Sequence, residues 1–306
     1  MRNNEDRMGI SDRNTGAEAP STTVTAPTTQ APPANPQMPP QQAHQSANPL
    51  LNFVSPTEFV ELPSKGKFYS EAHPLYNVDV VEIKHMTARE EDILTSEALL
   101  KKGIALDRFI QQILIDKRIN PDTLLIGDKN AILVAARISG YGPGYETSVT
   151  CPSCQTLTKH RFDLNEVASV VVDIEPDDTG VSVTNNGTFI IKELPITGWA
   201  VEVRPLTGED EKRINKSIEA KRNKNLSEDI LTTQMSTYVV SISGVTDRTH
   251  ISEAISSMPA MDSKFLRIAY EKIIPNLDMS HTFTCSECDH SGTVEVPFTT
   301  DFFWPK

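Results

Sequence analysis

Cys151-Pro-Ser-Cys154 and Cys285-Ser-Glu-Cys288 are the two stretches on which the reading of this chain turns, and they contain all four of its cysteines. Each follows a β-type approach ending in Thr-Cys: Ser148-Val149-Thr150 before the first and Thr282-Phe283-Thr284 before the second. Two thiolates two residues apart grip one edge of a Zn²⁺ ion, and a second such pair completes a closed tetrahedral site. A lone Cys-x-x-Cys is equally open to redox or disulfide readings. Two in matched contexts, with no cysteine left over, predict one structural zinc held by Cys151, Cys154, Cys285 and Cys288. Disulfides, free thiols and two split sites using His160, His281 or His290 are the alternatives. Four thiolates leave no open coordination position, so catalysis by this metal is not expected.

The 134-residue offset between the pairs recurs outside them. Asp128 precedes the apolar run Ala131 to Ile138, and Asp262 precedes Phe265 to Ile274, each placed as the N-cap of a helix leading to its cysteine pair. Val81-Glu-Ile-Lys-His-Met-Thr87-Ala-Arg-Glu-Glu91 answers Val201-Glu-Val-Arg-Pro-Leu-Thr207-Gly-Glu-Asp-Glu211 at an offset of 120. In both, a strand runs into a capping box, Thr87 with Glu90 and Thr207 with Asp210. Leu62-Pro63 likewise answers Leu194-Pro195. These matches predict an internal duplication of residues 55–165 and 188–304, an α+β fold of two strand–helices–hairpin repeats whose hairpins join in a four-cysteine zinc ribbon.

Within the first copy, the Thr87 helix is expected to run to Gly103, and the Asp128 helix to end at Gly140 as a left-handed C′ residue. The domain reading is an arm over residues 1–52, copy one over 53–165, a β-rich bridge over 166–198 with a hairpin signal at Asn186-Gly187, and copy two over 199–306. The arm holds eight of the 21 prolines and no aromatic residue, so it has too little apolar surface to offset the entropy of ordering and is expected to be disordered.

Formal charge is −12, and the arm contributes only −1 of it, three Arg against four acids. A folded part this acidic argues against phosphate-backbone binding. Neither a secretory apolar region nor a run of about 18 apolar residues is present, so a soluble protein of a reducing compartment, without membrane span, is expected. No phosphate loop, dinucleotide turn or nucleophile elbow occurs, and Glu90-Glu91-Asp92 reads as acids favouring a helix N-terminus. Neither an enzyme nor a small-molecule substrate is expected. Phe302-Phe303-Trp304 near the chain end is expected to be at least partly a partner contact.

Taken in order, the Thr-x-x-acid-acid strand-to-helix units, the run Ile138-Ser-Gly-Tyr-Gly-Pro-Gly-Tyr145 into Thr-Cys-Pro-Ser-Cys, the Arg161-Phe-Asp-Leu164 close and the Phe302-Phe-Trp-Pro305 ending resemble the baseplate hub family of T4-like bacteriophages. The resemblance covers roughly residues 56–306 and implies a hub subunit or hub assembly chaperone that binds other baseplate proteins, in the host cytoplasm during assembly and in the virion tail. It implies no catalytic residues, and a family unit nearer one copy than two. A zinc-ribbon adaptor in transcription or nucleic-acid handling is the competing reading.

Overall fold

The computed structural model describes residues 55–166, 168–170, 180–184, 186–224, 229–297 and 300–303. The expected arm over residues 1–52 lies outside them. From Ser55 onward the chain first forms an antiparallel pair, β1 (Thr57–Glu61) with β2 (Val80–Lys84), in register Val60↔Val81. Thr87 then starts α1 (Ala88–Thr95) through the expected capping box: its N–H donates to the Glu90 carboxylate at 2.9 Å, and Lys84 Nζ reaches the same group at 2.8 Å. The helix breaks sooner than expected. Ser96 turns extended (φ −67°, ψ 105°) and caps a separate α2 (Glu97–Lys101), with left-handed Gly103 (φ +66°) beyond it.

Next come α3 (Ala105–Ile113) and α4 (Ile126–Tyr141), and Leu114 bridges back to Ile83 on β2. Asp128 is not the N-cap of α4. It is the third helical residue, wholly buried, and accepts from the Ser64 N–H (3.0 Å), the Ser64 hydroxyl (2.6 Å) and the Tyr69 hydroxyl (2.7 Å). The helix runs through Gly140, which packs against Met86, and the left-handed residue is Gly142 (φ +80°). β3 (Gly144–Thr150) and β4 (Leu157–Asp163) form the first cysteine hairpin, followed by β5 (Ala168–Val170).

The second half opens with β6 (Val181–Val183), β7 (Phe189–Ile191) and β8 (Val201–Val203). Its helices are α5 (Gly208–Asn223), α6 (Ile230–Tyr238), α7 (Arg248–Ser257) and α8 (Ala260–Ile273), with β9 (Val239–Ile242) after α6. Strands β6-β7-β8-β9 make one four-stranded antiparallel sheet. Two strands of the expected bridge, β6 and β7, therefore belong to the second half's own sheet, and Asn186-Gly187 does turn between them (Gly187 φ +72°).

Thr207 repeats the capping box on Asp210, with Arg204 pairing to that carboxylate at 2.6 and 2.8 Å where Lys84 pairs with Glu90. Asp262, again third in its helix rather than N-cap, is buried and accepts from the Ile196 and Thr197 N–H groups and the Thr197 hydroxyl at 2.7–2.9 Å. The chain closes with β10 (Asn276–Asp278), paired to β5, the second cysteine hairpin β11 (Ser280–Thr284) and β12 (Ser291–Glu295), and a 3-10 turn at Thr300–Phe303.

Two apolar cores result. One gathers residues from Val60 to Leu164 together with Val296, Phe302 and Phe303; the other gathers Val181 to Ile273. The halves meet where Leu125 bridges Thr207, with the Ile126 N–H donating to Leu206 O (3.0 Å) and the Gly208 N–H to Leu124 O (2.9 Å). A charged seam flanks this join: the nearly buried Lys129 pairs with Asp107 (3.0 Å) and Glu211 (2.9 Å), and Lys212 with Asp107 (2.8 Å) and Asp122.

Candidate metal centre

Each hairpin presents its cysteine pair at the tip through the same local geometry. The Cys151 N–H donates to Thr156 O (2.9 Å) and the Gln155 N–H returns to Cys151 O (3.0 Å). In the second, the Cys285 N–H donates to His290 O (2.9 Å) and the Asp289 N–H to Cys285 O (3.2 Å). Gln155 and Asp289, 134 positions apart, both take left-handed φ, +60° and +54°. That turn brings the fourth residue's sulfur back beside the first. Cys151 and Cys285 are buried against Phe283, Val149 and Val294, while Cys154 and Cys288 are exposed.

All four sulfurs lie within 4.8 Å of one another, and the cross-hairpin pairs Cys151–Cys288 and Cys154–Cys285 are 3.7 Å apart. A disulfide needs about 2.05 Å, so none is formed. A tetrahedral ion with metal–sulfur bonds of about 2.3 Å sets its ligands about 3.8 Å apart. The cross-hairpin spacing fits that value. The four sulfurs form one cluster, and two histidines of the split-site alternative are engaged elsewhere: His160 and His281 turn to each other (3.3 Å), and His281 Nε2 meets Glu166 at 2.9 Å. Those rings pack on Phe162 and Phe283, linking the hairpins below the sulfurs, and burial with the neighbouring His281 lowers the His160 pKa. His290 contributes its carbonyl to the second tip.

The Cys154 thiol is poised to give up its proton to a cation. Hydrogen bonds from the Thr156 hydroxyl and N–H, with those of Cys288 and Cys151, bring the Cys154 thiol down to about 6. The His290 N–H also favours a Cys288 thiolate, but burial and the Cys154, Cys285 and Cys151 sulfurs outweigh it and push that group up to about 12. Four sulfurs in one space cannot all ionise unless a cation neutralises them, and a metal that binds there displaces the remaining protons.

Phe302 and Phe303 are buried, 0 and 4 % exposed, which corrects the expected partner contact. Phe302 sits edge-on to Tyr145 (5.2 Å) and Phe303 to Phe109 (5.3 Å), both in the first half's core. Trp304 lies outside the described residues. The anchor for this tail is Arg137, fully buried within α4, whose guanidinium donates to Phe302 O (2.6 Å), Gly142 O (2.7 Å) and Gly144 O (3.0 Å). A lone Arg inside an apolar helix was the sequence signal for this anchor. Glu90, in the acidic triplet, is spent on its capping box and Lys84.

The family model for the T4 bacteriophage base plate protein matches residues 55–304. The chain belongs to that family. The span takes in both cysteine pairs and both halves of this baseplate protein, where the resemblance pointed to a unit nearer one half. No curated protein and no solved structure matches it. Among its described residues, no helix is long and apolar enough to cross a membrane.

Proposed function

We propose that this baseplate protein acts at the hub, as a hub component or as the factor that assembles it, through protein contacts alone, with Zn²⁺ in the four-thiolate site as a clamp between its halves. The observation that carries this is the cluster itself: two hairpin tips 134 residues apart, in a chain whose baseplate-family match spans both, converge on one set of four sulfurs within 4.8 Å of one another. Zinc suits soft thiolates in that geometry, and closed four-sulfur sites serve structure rather than catalysis. The acidic surface and absence of any catalytic motif agree with a contact role without nucleic acid or small-molecule substrate. Host cytoplasm during assembly, then the tail, is the setting this implies.

The halves are read as a duplication of residues 55–165 and 188–304. Supporting it are the paired capping boxes with their Lys84 and Arg204 partners, Asp128 and Asp262 each gripping the turn after Leu-Pro, and the pairing of the post-helix residues Leu114 and Val239 with Ile83 and Val203. Two measurements test the function. Purified protein should hold one zinc per chain; none, or two, overturns the shared clamp. Phage lacking this chain should stall before the hub is complete, and finished hubs in its absence would remove the assembly role.

A further inference from the structure

Resting on the duplication and baseplate readings above, the two copies of one helix can be compared face by face. On α4 the face carrying Gly127, Asn130, Ala131 and Val134 is covered. A Cβ on Gly127 would lie 2.1 Å from Pro275 O, Asn130 bonds Asn276 (3.3 Å), and Leu277 and Met279 pack against the core that Ala131 and Val134 join. The matching face of α8 bears Met261, Lys264, Phe265 and Ile268. There Met261 is 60 %, Phe265 42 % and Ile268 42 % exposed, and Ile196, bound through its N–H to Asp262, is 61 % exposed. Large apolar residues one helical turn apart seldom stand clustered on a surface without a binding role.

The charge around them specifies what binds. Along α8 the exposed charges are Lys264, Arg267 and Lys272 against Glu271, and no salt bridge among the described residues involves any of the four, on a chain of net charge −12. We propose that this α8 face docks an apolar segment with acidic flanks belonging to another baseplate protein. The bulk of Met261, where α4 has Gly127, keeps the incoming backbone farther out than Pro275 lies on α4. The contact is therefore made by side chains, with acids at the borders meeting Lys264, Arg267 and Lys272.

The test uses full-length chain in cells infected with phage lacking its gene, followed by sedimentation of baseplate assembly intermediates. Phe265→Glu/Ile268→Glu and Lys264→Glu/Arg267→Glu/Lys272→Glu should each melt within about 2 °C of wild type, because surface changes cost little. Each should associate with intermediates at least tenfold less. In wild type, radical oxidation of Met261 should slow at least tenfold on association, a readout that needs no variant. Wild-type association by both variants, or unchanged Met261 oxidation, overturns the proposal. A free wild-type chain that dimerises, and that Phe265→Glu returns to monomer, assigns the face to a second copy and overturns it too. Wild-type chain that never joins the intermediates sinks the hub reading instead, and the proposal with it.

Discussion

Cys285→Ser removes one thiolate from the second hairpin, yet its clearest effect should be on the first. At their tips the two hairpins share the small cluster of Cys151, Phe283 and Cys285 with Val149 and Val294, with the His160–His281 contact below it. Two-stranded hairpins are marginal in water, so the proposed metal, more than packing, would hold the first tip closed. A ligand at 100 to 1,000 times its Kd stabilises by about 2.7 to 4.1 kcal/mol, which is roughly a hundred- to thousandfold in the population of the closed state. Amide exchange at Cys151, bonded to Thr156 O at 2.9 Å, and at Gln155, bonded to Cys151 O at 3.0 Å, should accelerate by about that factor in Cys285→Ser. The base of the same hairpin should stay protected, because Tyr145 and Phe162 are buried and Tyr145 packs on Phe302. Exchange read by mass spectrometry on peptides covering 150–157 and 161–164 separates tip from base. An unchanged first tip beside a loosened second one would show that the hairpins hold metal independently, and the shared site would be wrong.

Phe302→Ala should lower stability by about 3–5 kcal/mol and the melting midpoint by roughly 10 °C, as for a buried aromatic; a shift under about 1 °C with weaker partner binding would restore the tail to the surface. Arg137→Met removes the guanidinium's hydrogen bonds to the Phe302, Gly142 and Gly144 carbonyls and should cost about 3 kcal/mol or more in denaturant unfolding. A variant as stable as wild type would mean that burying the guanidinium costs as much as its three bonds return. Burial pushes the Asp262 carboxyl up, but the Thr197 hydroxyl and the Ile196 and Thr197 N–H groups outweigh it and hold the group below the usual carboxylate range. A depressed folded pKa gives stability that is complete above the unfolded value, about 4, and is lost as pH falls through the folded one. Asp262→Asn should therefore flatten the acid limb of the stability–pH curve, and an unaltered slope below pH 4 would contradict these bonds. Asp128, raised by burial despite Ser64 and Tyr69, has the opposite sign: its contribution is present below about pH 4 and lost as pH rises through its folded value.

What could be read from sequence was whatever repeats or caps locally. The hairpins, both capping boxes and the meeting of four cysteines follow from short patterns, because the chemistry of a thiolate pair or an N3 carboxylate is complete within a few residues. Asp128 and Asp262 were found as a matched pair but given the wrong task, since an acid near a helix start satisfies the N-cap pattern as well as it satisfies a distant Leu-Pro turn. Phe302 and Phe303 were placed wrongly for a different reason: their cover is 165 residues away, and no local pattern states which surface a tail will find. The clue lay in α4 instead. Ala131 to Ala136 is apolar on every side, and a helix apolar all round must be covered all round. The strands and helices of residues 55–165 leave such a helix a side short, so another layer had to come from elsewhere in the chain. Strand β10 and the Phe302-Phe303 tail supply it, with Arg137 fixing the tail in place. Where α4 has Asn130, Leu133 and Ile138, helix α8 carries Lys264, Arg267 and Lys272, so the fold can leave that side in solvent.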